Sequence, residues 1–315
     1  MIAYIVRRLL WLPVLLLIIS MLTWALGIYG PGDPCRVRLG QRNDPASVAR
    51  CRQQLGLDRP FPVQYADYVW RVLHGDLGDS YRYNRPVSGL LAKRLSVTIQ
   101  LNAVVLAIGV LVGVPLGILA ALRRNSWSDY LIVAGVIAAI SIPELVLAPI
   151  MQWLFTYKLR WLPTGGWGGI LSPRIILPAL ILAIGPIAVF VRQTRASLLQ
   201  VMGQDYLRTA RAKGLSERAV VVLHALRNAV LPLFTIFGLM IGGLVVGTLI
   251  IENIFGIPGV GQLFVEALFA RDYPVIMALT LLGATAFVMA NLLIDVGYVF
   301  LDPRIRVASD QGSSK

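Results

Sequence analysis

Six apolar runs stand out along the chain: Leu9–Tyr29, Gln100–Leu122, Tyr130–Phe155, Ile175–Val191, Ala229–Ile251 and Val275–Leu301. At about 1.5 Å of rise per residue, roughly 20 apolar residues cross a hydrocarbon core, so each run is read as one membrane span. The fourth is the shortest and carries Pro178 and Pro186. Neighbouring helices satisfy the backbone groups that a proline frees, so it is kept as a span. An even number of spans places both termini on one side. The pattern predicts an all-α integral membrane protein in three parts. Residues 1–97 form a first span plus a long polar excursion, 98–301 a five-span core with a polar loop at 192–230, and 302–315 a polar tail. Arg7 and Arg8 before the first run also suit a signal peptide. That run exceeds the usual signal length and no A-x-A site follows, so it reads as a retained anchor.

Composition agrees with the pattern. Of 315 residues, 57% are hydrophobic and 14% charged, and the mean hydropathy is +0.72, far from a soluble domain. A net charge of +13 would suggest nucleic acid in a soluble protein; here it sets orientation, because short cytoplasmic loops collect Lys and Arg. With the N-terminus inside, the cytoplasmic segments hold Arg7, Arg8, Arg123, Arg124, a dense set from Arg192 to Arg227, and Arg304, Arg306 and Lys315. The excursion is also arginine-rich, but long loops translocate largely regardless of charge. No nucleic-acid partner is expected.

Within the excursion, Asp44-Pro45 opens a helix that Gly56 closes, with an N-cap, proline at N1 and glycine beyond the end. A second helix is predicted over Pro62–Leu73, stopping at Gly75. Its Tyr65, Tyr68, Val69, Trp70 and Leu73 suit either a membrane interface or packing on the excursion itself. A third, Val87 to about Leu95, mixes leucines with Lys93 and Arg94 and is predicted to lie along the bilayer surface before the chain turns inward. Cys35 and Cys51 are the two cysteines, both external in this topology, and are predicted to be bonded.

The chain has no G-x-x-x-x-G-K-[ST] loop to cradle nucleotide phosphates. Its two histidines, His74 and His224, belong to no carboxylate–histidine cluster, so neither a metal site nor a hydrolase triad is predicted. Polar groups inside spans mark candidate path positions: Gln100 and Asn102 in the second span, Glu144 and Gln152 in the third, Asn291 in the sixth. Glu144 is expected to face the path or a polar partner, and Asp295 to make a helix–helix contact.

Between the fourth and fifth spans lies D-Y-L-R-T-A-R-A-K-G-L-S-E-R, Asp205 to Arg218, then H-A-L-R-N-A-V-L-P ending at Pro232. Gly214 breaks two short helices there, since glycine tolerates positive φ. This stretch resembles the cytoplasmic loop of ABC importer permeases of the dipeptide, oligopeptide and nickel branch. The chain carries Arg208-Thr209-Ala210 where the general signature has Glu-Ala-Ala, and a longer interval to Leu231-Pro232, departures that match the peptide branch. P-G-D-P at 31–34, L-G-L-D-R-P-F-P-V-Q-Y at 55–65, G-D-L-G-D-S at 75–80 and R-P-V at 85–87 resemble the family's N-terminal half. W-L-P-T-G-G at 161–166, E-N-I-F-G-I-P-G-V-G at 252–261, R-D-Y-P at 271–274 and L-D-P-R-I-R at 301–306 resemble its C-terminal half.

The resemblance implies a six-span permease with an extracytoplasmic excursion after the first span and a cytoplasmic coupling helix between spans four and five. It would sit in the inner membrane of a bacterium or archaeon, both termini cytoplasmic, importing peptides or related small solutes. Asp205, Tyr206, Leu207, Arg208, Ala210, Arg211, Lys213 and Gly214 would form the coupling element, which seats in a groove of an ATPase. Implied partners are a second homologous permease, two ABC ATPases that bind ATP and Mg, an extracytoplasmic solute-binding protein and membrane lipid; this chain would hold no cofactor and catalyse nothing itself. The alternative is a self-sufficient secondary transporter or channel, for which internal repeats and intramembrane charge pairs would be expected.

Overall fold

The computed structural model describes residues 2–29, 33–39 and 44–301; side chains at 2–9, 231 and 294–301, Asp295 among them, and the tail 302–315 fall outside that description. Helices account for the regular structure of the described residues, with one isolated bridge between Asp79 and Pro86. In order they are α1 Ile2–Tyr29, α2 Pro34–Leu39, α3 Pro45–Gln54, α4 Phe61–Leu73, α5 Val87–Leu122, α6 Trp127–Ile140 and α7 Glu144–Gln152. There follow α8 Ile176–Met202, α9 Asp205–Ala212, α10 Glu217–Ala219, α11 Leu226–Gly243, α12 Leu249–Ile254, α13 Val260–Ala270 and α14 Tyr273–Leu301. Four helical stretches are long and apolar enough to cross a bilayer: Leu10–Tyr29, Val87–Leu122, Pro173–Met202 and Tyr273–Leu293. Two further pairs qualify as bent units, Trp127–Ile140 with Glu144–Lys158 at 93° and Glu217–Val230 with Pro232–Gly243 at 49°.

Three of these elements differ from the sequence expectation. Val87–Leu95 is no separate surface helix but the first turns of the 36-residue α5. No glycine or proline interrupts the chain between Leu95 and Gln100, and Val87 and Leu91 are buried beside Val260, Leu263 and Val275. The run Tyr130–Phe155 is two helices, because Pro143 has no N–H to continue α6 and pushes Ile142 out of helical conformation; it serves instead as the N-cap of α7. The run Ala229–Ile251 ends at Gly243, and α12 begins afresh at Leu249. Gly247 lies so close to the Gly261 backbone that a β-carbon would collide with it.

The described chain forms two compact units. The first takes the chain up to Thr98, Val245–Glu252 and Pro258–Met289. Here Asp44 caps α3 by accepting the Ser47 N–H at 2.9 Å, Pro45 occupies the first turn, and Gly56 closes it at φ 65°. Cys35 and Cys51 form a disulfide. Beside it, burial works to raise the Asp33 carboxyl, but hydrogen bonds from Arg52 and the Cys35 N–H hold it below the ordinary carboxylate value. The aromatic face of α4 packs on α1. The Tyr65 hydroxyl donates to Leu17 O and lies 2.8 Å from Ser20 Oγ, while Tyr68 is buried with Trp24 and Met277. Trp70 and Leu73 remain exposed.

Two buried carboxylates explain why motifs far apart in sequence occur together. Asp272 is 1% exposed and accepts from Ser80 Oγ, Tyr81 N and Arg82 N, so R-D-Y-P locks onto the end of G-D-L-G-D-S. Glu252 is fully buried and accepts from Thr98 Oγ1 and Gln262 N, each at 2.9 Å; Thr98 Oγ1 in turn accepts the Val260 N–H at 2.8 Å. Two of the orphan amides at the start of α13 are thereby satisfied, Gln262 N–H by the Glu252 carboxyl and Val260 N–H by the Thr98 hydroxyl.

The disulfide spans 16 positions, and closing such a loop stabilises the folded excursion by about 3 kcal/mol. Replacing both cysteines by serine is therefore expected to speed proteolysis within residues 33–81 while leaving the membrane-embedded helices protected. Peptide mapping after limited digestion checks this, and unchanged cleavage would refute it.

The second unit comprises Ile99–Leu244, Asn253–Ile257 and the chain from Ala290 onward. Gly109, Gly113 and Gly117 form a small-residue stripe along α5 that lets α8 approach closely, a common device between membrane helices. A β-carbon at these positions would lie 2.6, 2.7 and 2.6 Å from Pro186, Phe190 and Thr194.

Candidate functional site

Helix α9 follows from its sequence. Asp205 sits in the first turn and Arg211 in the last, each suited to its end of the helix dipole. Leu207 and Ala210, three apart, share one face. Gly214 ends the motif at φ 79°, donating its N–H to Arg211 O at 2.9 Å, and Ser216 Oγ caps α10 by accepting from Ala219 N.

The sequence reading placed Leu207 and Ala210 among the residues presented to a partner. Both point the other way: Leu207 is fully buried and Ala210 nearly so, packed with Ala121, Leu198, Val220, Ala225 and Ala229. The physical reason is that a two-turn helix cannot hold its place without burying one apolar face, and these are its only apolar side chains of suitable spacing. Asp205, Tyr206, Arg208, Arg211, Lys213 and Gly214 are exposed. The Tyr206 hydroxyl accepts from Asn228 Nδ2 at 2.8 Å, which fixes its ring. Arg208 pairs with Asp205 at 3.4 Å on an exposed surface, a contact of little energetic weight. Arg211 donates twice to Glu217, at 3.0 and 2.8 Å, bracing α9 against α10 across Gly214. The element is an exposed polar surface on an apolar anchor.

A second anchor escaped the sequence reading. Asp129, 1% exposed, accepts from Arg195 Nε and Nη2 at 2.7 Å each and from the Asn125 N–H at 3.1 Å. It ties the start of α6 to α8 three turns before α9 begins. Arg195 had counted only as one more topogenic charge; the signal available was Ser126, which caps α6 and puts Asp129 in its first turn. Arg195→Met is expected to destabilise the chain by about 1–3 kcal/mol by leaving the Asp129 carboxylate buried without its partner. A thermal midpoint equal to wild type in detergent would show the pair to be dispensable.

Of the path candidates, Asn102 is buried and donates to Leu244 O at 3.1 Å; Gln152 donates to Thr164 O at 2.5 Å; Gln100 and Asn291 are half-buried. Glu144 opens α7 after Pro143 and is exposed on the isolated chain. Among the described residues no group of three or more His, Cys, Asp or Glu could hold a metal ion.

Among the described residues, four apolar helices of spanning length, or up to six if each bent pair is one span, define a multi-pass membrane protein. Residues 113–307 match the binding-protein-dependent transport system inner membrane component family, and residues 1–102 match the N-terminal component of such systems; the chain belongs to this family. It is 41% identical over 309 residues to the glutathione transport system permease protein GsiC of Salmonella typhimurium (strain LT2), covering 97% of this chain and 99% of that one. A Brucella abortus (strain 2308) protein, named provisionally as a peptide transport system permease, is 40% identical over 312 residues, with 97% and 99% covered. Among solved structures, a chain of the inward-facing MetNI methionine ABC transporter superposes with TM-score 0.51 at 20% identity, covering 69% of this chain and 95% of that one. A second crystal form of it gives 0.52 at 18% identity, with 66% and 95% covered. These two share the fold. The family read from the sequence motifs is thus the family matched: the chain is a permease subunit of an ABC importer in the inner membrane. Proteins of this family are membrane components that work with a partner permease, an ATPase and a substrate-binding protein.

Proposed function

We propose that the chain forms half of a translocation path for peptides or related small solutes, glutathione among the candidates, with α9 as its coupling element. Six spans result if each bent pair counts as one. Positive charge in the short 123–126 loop and near both chain ends then puts the termini in the cytoplasm. Residues 1–97 would carry the first span and the extracytoplasmic excursion, 98–301 the five-span core with its loop at 192–230, and 302–315 a cytoplasmic tail. A homologous permease would complete the path, two ATPases would supply ATP and Mg chemistry from below, and a solute-binding protein would deliver cargo from outside. Cargo identity rests on the names of the relatives alone.

The observation that carries the coupling role is the two-sided character of α9: Leu207 and Ala210 seat it in the chain's own core, while Asp205, Tyr206, Arg208 and Arg211 face outward. A groove with acidic rims on an ATPase would suit the outward arginines. Gln100, Asn102, Glu144, Gln152 and Asn291 remain candidates for the path; Glu144, exposed on the single chain, fits a polar partner on the second permease, since an unpaired carboxylate facing lipid is unfavourable. Reconstitution with the two ATPases, the second permease and the binding protein is expected to give peptide uptake that needs ATP inside the assembly. Uptake by this chain alone, driven by an ion gradient, would instead establish a secondary transporter.

A further inference from the structure

Between α7 and α8 the chain passes through a glycine-rich loop, and one turn in it breaks the usual pattern of such turns. Ser172 donates its N–H to Gly169 O at 3.2 Å, which places Ile170 and Leu171 at the two central positions. Those positions favour Gly, Pro, Asn and Asp. Here both side chains are apolar and both are exposed, Leu171 to 96%. The exposure is not that of a loose loop. Gly166 donates to Phe255 O at 2.7 Å, and Gly168 lies so close to Ser172 that a β-carbon would stand 2.5 Å from its Oγ. A fixed backbone holds the apolar tip out.

The flanking residues are basic and aromatic. Lys158, Arg160 and Arg174 are exposed, and no Asp or Glu occurs between Glu144 and Asp205. Trp153, Tyr157 and Trp161 are exposed in the same stretch, and Lys158 Nζ lies 5.4 Å from the centre of the Trp153 ring. Arg160 has φ 57°, a left-handed conformation that at a helix end ordinarily goes to Gly or Asn. Beyond it the Trp161 N–H returns to Phe155 O at 2.9 Å. An arginine kept there at a conformational cost points to a use for its side chain. In the proposed topology this loop is external, where short loops collect few cations, so orientation does not account for the three charges.

We propose that this loop is a docking surface for anionic phospholipid. Ile170 and Leu171 insert at the boundary between headgroups and acyl chains, and Lys158, Arg160 and Arg174 pair with headgroup phosphates. Location decides the occupant. Leu171 stands two positions before Pro173, where the spanning stretch Pro173–Met202 begins, so the tip lies within about 7 Å of chain from that span. Apolar exposure resumes at once inside the span, at Ile176 and Leu180. Trp and Tyr settle at headgroup level, and Lys and Arg near the surface are drawn to anionic lipid. A soluble protein docking here would have to bring an acidic rim and an apolar pocket down to the hydrocarbon edge; the headgroup layer supplies phosphate and apolar contact together.

The test uses the full chain in nanodiscs of equal parts phosphatidylcholine and phosphatidylglycerol. Because Cys35 and Cys51 are bonded to each other, Leu171→Cys supplies a single reactive thiol for a bimane fluorophore, and Ile170→Cys serves as a second labelling site. A nitroxide on the upper acyl chain is expected to quench the probe, while aqueous iodide leaves it nearly unquenched. The nitroxide should quench more when carried on phosphatidylglycerol than on phosphatidylcholine. That preference should fall by up to about five-fold for each of Lys158→Gln, Arg160→Gln and Arg174→Gln. Arg124→Gln, in the loop before α6, should leave it unchanged. Quenching by iodide and not by lipid puts the tip in water and overturns the proposal, with a protein partner then the occupant. Equal quenching by the two labelled lipids overturns the phosphate contact, as does a preference that survives all three variants at unchanged unfolding midpoints. Both faces of the nanodisc carry the same lipid and no partner subunit is present, so failure here would leave the topology and the importer assignment standing.

Discussion

Gly113→Leu is expected to prevent accumulation of folded protein, whereas Gly135→Leu, in an equally apolar helix, should accumulate normally. A β-carbon at Gly113 would stand 2.7 Å from Phe190 Cβ, 2.9 Å from the Ile187 carbonyl oxygen and 3.3 Å from Ile187 Cα. None of these is the end of a flexible side chain, so α5 and α8 must move apart along their contact. Phe190 is 1% exposed and packs with Leu106 and Leu233, so the displacement reaches α11. Overpacking commonly costs about 1–3 kcal/mol when the neighbours can adjust; here the obstacle is backbone, and the loss should exceed that range. At Gly135 a β-carbon meets nothing within 4 Å. Membrane fractions quantified by immunoblot, with detergent-solubilised material run by size exclusion, check the pair. Equal yields of monodisperse protein would refute the close-packing account.

The contrast between these two glycines shows what could be read from sequence. Apolar periodicity locates spans because hydrocarbon is a simple solvent, but it says nothing of which helix face meets which neighbour, so Gly113 and Gly135 look alike. Local signals fared well where the chain decides its own course: Asp44-Pro45 and Gly56 bracket α3 as expected, and Gly214 has the positive φ foreseen for it. They were insufficient where apolar composition masks geometry. The run through Ser141-Ile142-Pro143 reads as one span, yet proline chemistry breaks it at 93°. Conversely, Lys93 and Arg94 lower the hydropathy of Val87–Leu95 without ending the helix, because nothing there removes a backbone donor. The long-range polar anchors were the least legible. Asp129 with Arg195 is 66 positions apart and Ser80 with Asp272 is 192 apart, and no spacing rule links them. For α9 the sequence identified the element but not its orientation, since Leu207 and Ala210 serve equally well as an anchor or as a presented face until their neighbours are known.

Gly214→Val is expected to leave the chain inserted and folded while uncoupling ATP hydrolysis from transport or lowering assembly with the ATPases. At φ 79° a β-branched side chain is strained by roughly 1–2 kcal/mol, and no atom lies within 4 Å of its β-carbon, so the penalty is conformational and not steric. Relief comes by shifting φ, which tilts α10 against α9. The bidentate Arg211–Glu217 bridge spans this turn, and the exposed Asp205, Tyr206 and Arg208 would then be offered at a different angle. Leu207 and Ala210 keep α9 seated, which is why insertion and global stability should survive. Gly214→Asn provides the decisive comparison: asparagine adopts the left-handed conformation far more readily than valine, so it should restore coupling if backbone conformation is what matters. Arg123→Ala, in the short loop before α6, should change little. The measurement is solute transported per ATP hydrolysed in proteoliposomes, together with ATPase co-purification. Valine at wild-type stoichiometry would remove the coupling role from α9; valine and asparagine failing equally would place the requirement on the absence of a side chain at the ATPase contact, and not on the turn.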